Sequence, residues 1–366
     1  QGRAWPCASA QQRQRIISST ATIQAIGTAV PATDVHPAFI DWAGACITDP
    51  RERALFMRMA QRSGIHHRWS VLDGGGGSPT AQGGFYGDAW PTTAQRMAIY
   101  ADEAPALAAR AVAALGDQVA IDGITHLVVA SCTGFTAPGI DQQLIRLLGL
   151  DPSVERLMVG YMGCYAAIVA LRSARHIVRS EPGARVLVVC VELSSLHLQA
   201  NAEVEPLLAM LQFGDGAAAA LVSAAPGGIA LDQPFAMTVP DTAGLIRWDL
   251  GDHGFAMHLS GEVPGAIAQA LAGTVTLPVP ADSVDMWAVH AGGRSILDAV
   301  ARALDLAPDA LDHSRAVLRA FGNMSSATLM FVLTRILAGQ ATGQGVALAF
   351  GPGLAAEGLT FRREAP

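Results

Sequence analysis

The feature that most constrains the fold is a repeated order of elements in the two halves of the chain. In the first half, an apolar run ends at Cys132, an amphipathic segment follows, and a second apolar run meets Cys164. In the second half, the corresponding runs end at His290 and Asn323. Cys132 and Cys164 are 32 positions apart, and His290 and Asn323 are 33 apart. This agreement predicts a duplicated unit.

Short aliphatic runs alternate with helix-length segments, which predicts an α/β fold with buried strands. We expect two pseudo-symmetric halves, residues 1–225 and 226–366. The duplication makes "AVLRAFGN" (316–323) the counterpart of the strand "RLMVGYMG" (156–163). The other predicted strands are "ITHLVVASC", "RVLVVCVEL", "AAAALVS", "VDMWAVH" and "GVALAFG". The predicted helices are "AIYADEAPALAARAVAAL", "CYAAIVALRSARHIVRS" and "RSILDAVARAL", and Leu72 to Gly84 is predicted to be a flexible loop.

Composition excludes some classes of protein. The net charge is −7, which argues against a general nucleic-acid binder because phosphate backbones require a basic surface. Hydrophobic residues make up 51% of the chain and charged residues 15%, so we expect much burial, part of it at a homo-oligomer interface. No apolar stretch reaches the length of a membrane span, and no signal peptide is evident, so we expect a soluble, cytoplasmic protein. The five cysteines form no C-x-x-C pair, and we expect no disulfide.

Cys164 lies where an apolar run becomes a helix, and two interpretations are open. A free cysteine most often behaves as a small buried hydrophobe. However, Gly163 permits a tight turn, and the partial positive charge of a helix N-terminus favours a thiolate. Cys164 is therefore a candidate nucleophile.

His290 and Asn323 have similar alternatives. His290 ends an apolar run before "AGG" and could be a structural histidine, but the duplication places it near Cys164, where an imidazolium would lower the thiol pKa. Asn323 could be a turn residue, but its amide can donate to an oxyanion without acting as a base. Together the three side chains suit decarboxylative carbon–carbon bond formation better than hydrolysis.

Motifs for other chemistry are absent from the sequence. The glycine-rich turns at "FGDGAAAAL" and "FGPGLAAEGL" match neither G-x-x-x-x-G-K-[ST] nor G-x-G-x-x-G. The histidines show no H-E-x-x-H pattern, so we expect no metal site.

From about Ile16 to Phe361 the chain resembles the type III polyketide synthases, the chalcone synthase family of the thiolase superfamily. The resemblance rests on "MGCYAA", "FGDGAAAAL", "HAGG", "GNMSSAT" and "FGPGL", in the family's order and spacing. It implies a homodimer of thiolase-like αβαβα subunits that uses CoA thioesters as substrates and no bound cofactor or metal. It also implies that Cys164 accepts the starter acyl group from acyl-CoA, while His290 and Asn323 stabilise the enolate formed from malonyl-CoA.

The same resemblance implies further site residues. Arg58 and Arg62 match basic positions that meet CoA phosphates, with Leu55 where plant members carry a third basic residue. Gly292 and Gly293 are assigned to CoA binding, and Gly351, Pro352 and Gly353 are assigned to a loop of the cyclisation cavity. Gatekeeper and cavity positions correspond to Phe213, Met257, Trp248, Cys132, Ser194, Leu196, His197 and Ser325.

Departures from the plant pattern bear on the starter. Met257 replaces a gatekeeper phenylalanine, and Trp248 stands where chalcone synthases have glycine, which should narrow one side of the cavity. At positions 132, 194 and 197 the chain has Cys132, Ser194 and His197, which resemble the residues of bacterial members of the family. Those members are often alkylpyrone or alkylresorcinol synthases that take fatty acyl-CoA starters. The alternatives are a ketoacyl-ACP synthase III performing one condensation, a family member using malonyl-CoA or an aromatic starter, and a non-catalytic acyl-CoA-binding protein.

Overall fold

The computed structural model describes residues 20–72 and 78–364, and within them a single mixed sheet dominates. The strands are β1 (Ala21–Ala29), β2 (Thr33–Asp34), β3 (Trp69–Ser70), β4 (His126–Ser131), β5 (Glu155–Gly160), β6 (Val186–Leu193), β7 (Asp215–Ser223), β8 (Ile229–Thr238), β9 (Ile246–Gly251), β10 (Gly254–Leu259), β11 (Met286–Val289), β12 (Gly343–Gly351) and β13 (Ala355–Arg363). The helices are α1 (His36–Cys46), α2 (Pro50–Arg62), α3 (Thr93–Gly116), α4 (Ile140–Leu148), α5 (Ala166–Ser180), α6 (Val204–Met210), α7 (Val263–Gly273), α8 (Arg294–Ala303), α9 (Asp312–Phe321) and α10 (Ser326–Ala338).

The order of strands in the large sheet is symmetric about its centre. Nine strands run β11-β12-β13-β8-β1-β7-β6-β4-β5, so β1 and β8, the first strands of the two halves, lie side by side. They pair at only three positions. On each side the next two pairings are antiparallel and the following one is parallel, as β12 with β11 and β6 with β4. The predicted duplication is confirmed at this level, and the predicted division at residue 225 lies between β7 and β8.

Helices cover both faces of each half of the sheet. Helices α5 and α10 pack between the halves, α3 and α4 cover the outer face of the first half, and α7, α8 and α9 cover that of the second. The strand β6 shows why the apolar runs are continuous. Its side chains alternate, with Val188 and Cys190 facing the central helices and Val189 and Val191 facing α3. The resulting layers are those of the thiolase-like αβαβα fold, which confirms the predicted fold class.

The predicted duplication is wrong for one element. Residues 316–323 form no strand, because Asp312–Phe321 is the helix α9, and the second half has no counterpart of β5 among the described residues. Val317 and Leu318 are buried while Arg315 and Arg319 lie on the other side of the helix, which is the pattern of an amphipathic helix. The predicted loop from Leu72 forms no helix or strand over its described residues, and residues 73–77 lie outside them.

Among the described residues, no helix is both long enough and apolar enough to cross a bilayer.

Candidate active site

Cys164 lies in a tight turn between β5 and α5. Tyr161 and Gly163 both have positive φ, 61° and 71°, which reverses the chain and places Cys164 in a short 3-10 turn. A Cβ atom on Gly163 would lie 2.5 Å from Cδ of Pro352, so only glycine fits there. Cys164 as a whole is 7% exposed. The predicted position at the start of a helix is confirmed.

Asn323 reaches the same place from the second half. Its backbone bridges Phe213, with Asn323 N–H donating to Gln212 O over 2.8 Å and Gly214 N–H donating to Asn323 O over 3.0 Å. The side-chain Oδ1 accepts from Ser325 N–H at 2.8 Å. This contact directs Nδ2 towards Cys164 Sγ, 4.0 Å away. A donor therefore faces the candidate nucleophile.

His290 follows β11, and its backbone N–H donates to Leu348 O over 2.8 Å. Both ring nitrogens are buried and have no hydrogen-bond partner among the described residues. Asn323 Nδ2 also donates to Gly292 O over 3.3 Å, which links the His290 turn to the Cys164 turn. Among the described residues, therefore, no acidic side chain pairs with the His290 ring and no hydrogen bond fixes which of its nitrogens carries the proton.

The protonation states differ from the expected thiolate and imidazolium. Burial raises the pKa of the Cys164 thiol to about 11, although hydrogen bonds to Ser325 and Asn323 act in the opposite direction. Burial lowers the pKa of His290 to about 3. For Cys164, the cost of removing a thiolate from water exceeds the stabilisation that the helix N-terminus would give it. A charged Cys164 or a charged His290 would each be an isolated charge in an apolar interior. The free site therefore holds a neutral thiol and a neutral imidazole.

A buried carboxylate that the sequence analysis missed lies behind the thiols. Glu192 is fully buried, with Oε1 at 3.2 Å from Cys132 Sγ and Oε2 accepting from Thr133 Oγ1 over 2.8 Å. Burial raises its pKa. Ser325 Oγ lies 3.3 Å from Cys132 Sγ and also bonds to the Cys164 thiol, so it sits between the two sulfur atoms. The sequence signal that could have identified Glu192 is a single acidic residue in the otherwise apolar run "VLVVCVEL".

A cavity of about 320 Å³ lies next to Phe213. Five predicted cavity residues line it, and they are Phe213, Trp248, Met257, Ser194 and His197. Cys132, Leu196 and Ser325 do not line this cavity, and neither do Cys164, His290 or Asn323. Cys132 and Ser325 instead contact the thiol site, and Leu196 is fully buried in the core beside α3. The remaining lining is largely apolar.

Trp248 forms one wall of this cavity within an aromatic cluster. Its ring contacts Phe213, His197 and Phe255 edge-on, with centroids 6.2, 5.9 and 6.4 Å away. His197 stacks on Phe255 at 4.2 Å, its Nε2 bonds Thr133 O at 2.6 Å, and its Nδ1 accepts from Phe255 N–H at 3.1 Å. Burial lowers the pKa of His197 to about 4. Both ring nitrogens of His197 are hydrogen-bonded, so His197 is a fixed part of the cavity wall and is not available as a base.

The predicted CoA residues lie on two neighbouring elements. Arg58 and Arg62 are exposed on α2, together with Leu55. Arg294 of α8 donates to Arg62 O over 3.2 Å, which brings a third, unpredicted cation beside them. Gly292 and Gly293 form the turn before α8, where a Cβ on Gly292 would lie 3.3 Å from the His290 ring. The basic patch and the His290 turn are therefore adjacent.

The predicted cyclisation loop packs on the nucleophile turn. A Cβ on Gly351 would lie 2.7 Å from the Tyr165 ring and 3.3 Å from Cys164 N, and Pro352 covers Gly163. Gly351, Pro352 and Gly353 do not line the 320 Å³ cavity. Their contacts fix the position of Cys164. Within residues 20–72 and 78–364, no cluster of three or more His, Cys, Asp or Glu side chains could hold a metal.

Comparison with known proteins gives consistent matches. Residues 8–226 match the N-terminal domain of chalcone and stilbene synthases, and residues 231–364 match their C-terminal domain. A similar protein is "Alpha-pyrone synthesis polyketide synthase-like Pks18" of Mycobacterium tuberculosis and Mycobacterium bovis, 32% identical over 94% of this chain and 91% of that protein.

Solved structures agree. The C-terminal type III polyketide synthase domain of Steely1 from Dictyostelium has a TM-score of 0.85 and 27% identity, covering 94% of this chain and 99% of the other. The PKS-I structure from the brown alga Ectocarpus siliculosus has a TM-score of 0.82 and 28% identity, covering 94% and 98%.

Proposed function

The chain belongs to the chalcone and stilbene synthase family, the type III polyketide synthases, and we propose that it condenses a fatty acyl-CoA starter with malonyl-CoA and cyclises the product to an alkylpyrone or alkylresorcinol. As a member of this family it is a condensing acyltransferase. The observation that carries the proposal is the Asn323 amide, which lies 4.0 Å from a buried Cys164 thiol and also donates to Gly292 O, in the turn that follows the unpartnered His290 imidazole. That arrangement supplies a nucleophile and two groups for a carbonyl oxygen.

The first step transfers the starter to Cys164. His290 accepts the thiol proton as Sγ attacks the thioester carbon, the carbon–sulfur bond to CoA breaks, and the CoA thiolate takes the proton from His290. Burial opposes an isolated charge on either group, but transfer of the proton from the thiol to the imidazole adds no net charge to the site.

The second step forms the new carbon–carbon bond. Malonyl-CoA loses carbon dioxide, and the electron pair of the broken bond becomes an enolate whose oxygen accepts hydrogen bonds from His290 and the Asn323 amide. The enolate carbon attacks the Cys164 thioester, and the Cys164 sulfur leaves. Decarboxylation itself supplies the carbanion, so we propose that CoA thioesters suffice and no resident cofactor or metal takes part.

The cavity supports an acyl chain as the starter. Its wall is largely apolar, and Trp248 and Met257, which face each other across the β9–β10 hairpin, both line it. Apolar surface of this kind favours a hydrocarbon chain. The name of the mycobacterial relative refers to α-pyrone synthesis, which supports an alkylpyrone as the product. The patch of Arg58, Arg62 and Arg294 suits the CoA phosphates, since arginine binds phosphate with paired donors.

The edge of the sheet supports a homodimer. Strand β5 is the last strand and pairs only with β4 within the described residues. Leu157 and Met158 on β5 are 41% exposed, and Tyr161 and Phe135 nearby are 62% and 64% exposed. An uncovered apolar edge strand is a ready surface for a second copy. We place this dimer in the cytoplasm, where CoA thioesters and reduced thiols such as the free Cys164 persist.

The test is an assay on purified protein, taken from the fraction that elutes at about twice the subunit mass of 37.9 kDa. Decanoyl-CoA with malonyl-CoA should release free CoA and yield alkylpyrones or alkylresorcinols, identified by mass spectrometry. A single β-keto product formed only with an acyl carrier protein would favour the ketoacyl-ACP synthase III alternative. Turnover with malonyl-CoA alone or with an aromatic starter in preference to decanoyl-CoA would instead overturn the fatty starter.

Replacement of Trp248 by glycine is expected to change starter choice and product length. The indole ring fills space between Phe213 and Phe255, so its removal widens the cavity and should favour longer acyl chains. The decarboxylation of malonyl-CoA should remain largely intact, because Cys164 and Asn323 do not line the cavity that Trp248 lines. The readout is the product profile across acyl-CoA starters of increasing length.

Leu250→Gly is the matched control, since Leu250 lies on the same strand, is 70% exposed and does not line the cavity. An unchanged product profile for Trp248→Gly across the whole series would contradict the assignment of this cavity to the acyl chain.

A further inference from the structure

Helix α2 has one face fixed in the core and the opposite face in solvent. On the inner face Phe56 and Ala60 are buried in a cluster with residues of α1 and α6. The first turn is capped, because the Asp49 side chain accepts from Arg51 N–H over 2.8 Å and from Glu52 N–H over 3.0 Å. The outer face of α2 is therefore held rigidly by the core beneath it.

Two exposed apolar side chains lie one turn apart on this outer face. Leu55 is 40% exposed and Met59 is 45% exposed. Side chains four positions apart on a helix are neighbours, so the two form one continuous apolar surface. Elsewhere, away from the β5 edge, the exposed large apolar residues of the described chain stand singly, with Leu147 on α4, Met237 on β8 and Leu250 on β9. A single exposed hydrophobe is ordinary, whereas a fixed pair indicates a contact surface.

Three exposed arginines flank this apolar pair. Arg51, Arg58 and Arg62 stand four positions before, three after and seven after Leu55, so they lie on the same side of the helix. Within the part of the chain that the structure describes, none of the three forms an ion pair. Glu52 is the acidic residue of α2. On a chain with a net charge of −7, this concentration of unpaired cations favours an anionic partner.

We infer that this face, which we call the α2 strip (Arg51, Leu55, Arg58, Met59 and Arg62), docks the protein on an anionic lipid bilayer. Apolar side chains between arginines are typical of a helix that lies in a membrane interface. The long apolar stems of the arginines let their guanidinium groups reach lipid phosphates while Leu55 and Met59 enter the acyl boundary. The strip lies on the convex side of a helix, which a bilayer contacts along its whole length, whereas a protein partner needs a matching groove.

Docking through the α2 strip places the substrate entrance at the membrane. Arg62 ends α2, and its carbonyl oxygen accepts from Arg294, which begins α8 directly after the turn of Gly292 and Gly293. A long-chain acyl-CoA partitions into bilayers because of its acyl chain. The docked protein therefore takes its starter from the surface to which it is bound. This consequence rests on the proposed function, and the docking itself does not.

Vesicle flotation of the full-length wild-type protein, without substrate, is the first test. Vesicles of phosphatidylcholine alone are compared with vesicles in which about one third of the lipid is phosphatidylglycerol. We expect the protein to partition at least about tenfold more strongly to the anionic vesicles, since each arginine near the surface adds attraction. The binding should weaken as salt is raised, because salt screens these charges. Absence of binding, or equal partitioning to both kinds of vesicle, would overturn the inference.

A double variant tests the apolar part of the strip. Leu55→Gln with Met59→Gln keeps every arginine and uses a good helix former, and it should reduce partitioning to anionic vesicles by about tenfold. Leu250→Gln with Met237→Gln is the matched control, because it removes the same two types of exposed side chain from β9 and β8. The control should bind vesicles as the wild type does.

A charge variant tests the basic part of the strip. Arg51 is chosen because Arg58 and Arg62 are also proposed to bind CoA phosphates. Arg51→Gln should lower partitioning to anionic vesicles by about fivefold and leave the weaker partitioning to phosphatidylcholine unchanged. Arg302→Gln is the matched control, since Arg302 is exposed in the last turn of α8. Its partitioning should equal that of the wild type.

Unchanged vesicle binding in both strip variants, folded as judged by circular dichroism, would overturn the assignment to α2. An acidic acyl carrier protein that binds the wild type and not the Leu55→Gln/Met59→Gln variant, with no binding to vesicles, would overturn the inference in favour of a protein partner. Failure to condense any starter would contradict the proposed function alone, because flotation is measured without substrate.

Discussion

Replacement of Cys164 by alanine is expected to abolish condensation, with a loss of turnover of at least about a thousandfold, because no other group can carry the acyl intermediate. Cys132 is the nearest alternative thiol, but its sulfur contacts Glu192 and burial raises its pKa well above the usual value. The measurement is free CoA release and product formation from decanoyl-CoA and malonyl-CoA. The mass of the wild-type protein should also increase by one decanoyl group after incubation with decanoyl-CoA alone, and that of Cys164→Ala should not.

Cys46→Ala is the matched control for this substitution. Cys46 is a half-buried free thiol at the end of α1 and contacts none of the site residues, so its removal should leave turnover and acylation unchanged. Condensation by Cys164→Ala at the rate of the wild type would show that Cys164 is not the nucleophile. Malonyl-CoA decarboxylation should be retained in Cys164→Ala, since Asn323 and His290 remain in place.

The sequence was sufficient to predict the duplicated fold, because buried strands leave a simple signal. β6 and β12 are covered on both faces over most of their length, so residues 186–191 and 346–350 are all apolar, and each run has the length of a strand. The correspondence failed at residues 316–323. There a short apolar run is compatible with either a strand or a helix, and periodicity over eight residues does not separate them. Tertiary packing decided in favour of the helix α9.

The candidate site could be predicted as a set of residues but not as an electrostatic environment. The duplication placed Cys164 and Asn323 at equivalent positions, and the structure puts the Asn323 amide at the thiol. The pKa values could not be predicted, because the helix N-terminus is visible in the sequence and the depth of burial is not. For the same reason Glu192 was missed. A single charged residue in an otherwise ordinary segment becomes informative only when its contacts are known.

Replacement of Asn323 by alanine is expected to lower the decarboxylation of malonyl-CoA by about a hundredfold to a thousandfold, the usual effect of removing one oxyanion donor. Acylation of Cys164 by decanoyl-CoA should be affected less, because the thiol and His290 remain. The measurement is the conversion of malonyl-CoA to acetyl-CoA, followed by chromatography, beside the mass of the acylated protein. Comparable losses in both steps would contradict a specific role in enolate stabilisation.

Asn323→Asp tests the donor without changing the shape of the site. Asn323 Oδ1 accepts from Ser325 N–H over 2.8 Å, and an aspartate can keep this bond while losing the Nδ2 donor that faces Cys164. The alanine variant loses both contacts, so it combines a lost donor with a freed Ser325. If the donor stabilises the enolate, the aspartate variant should decarboxylate malonyl-CoA no better than the alanine variant, because an ionised or acceptor oxygen repels the enolate. Decarboxylation near the wild-type rate in Asn323→Asp would assign Asn323 to holding the Ser325 turn and not to the chemistry.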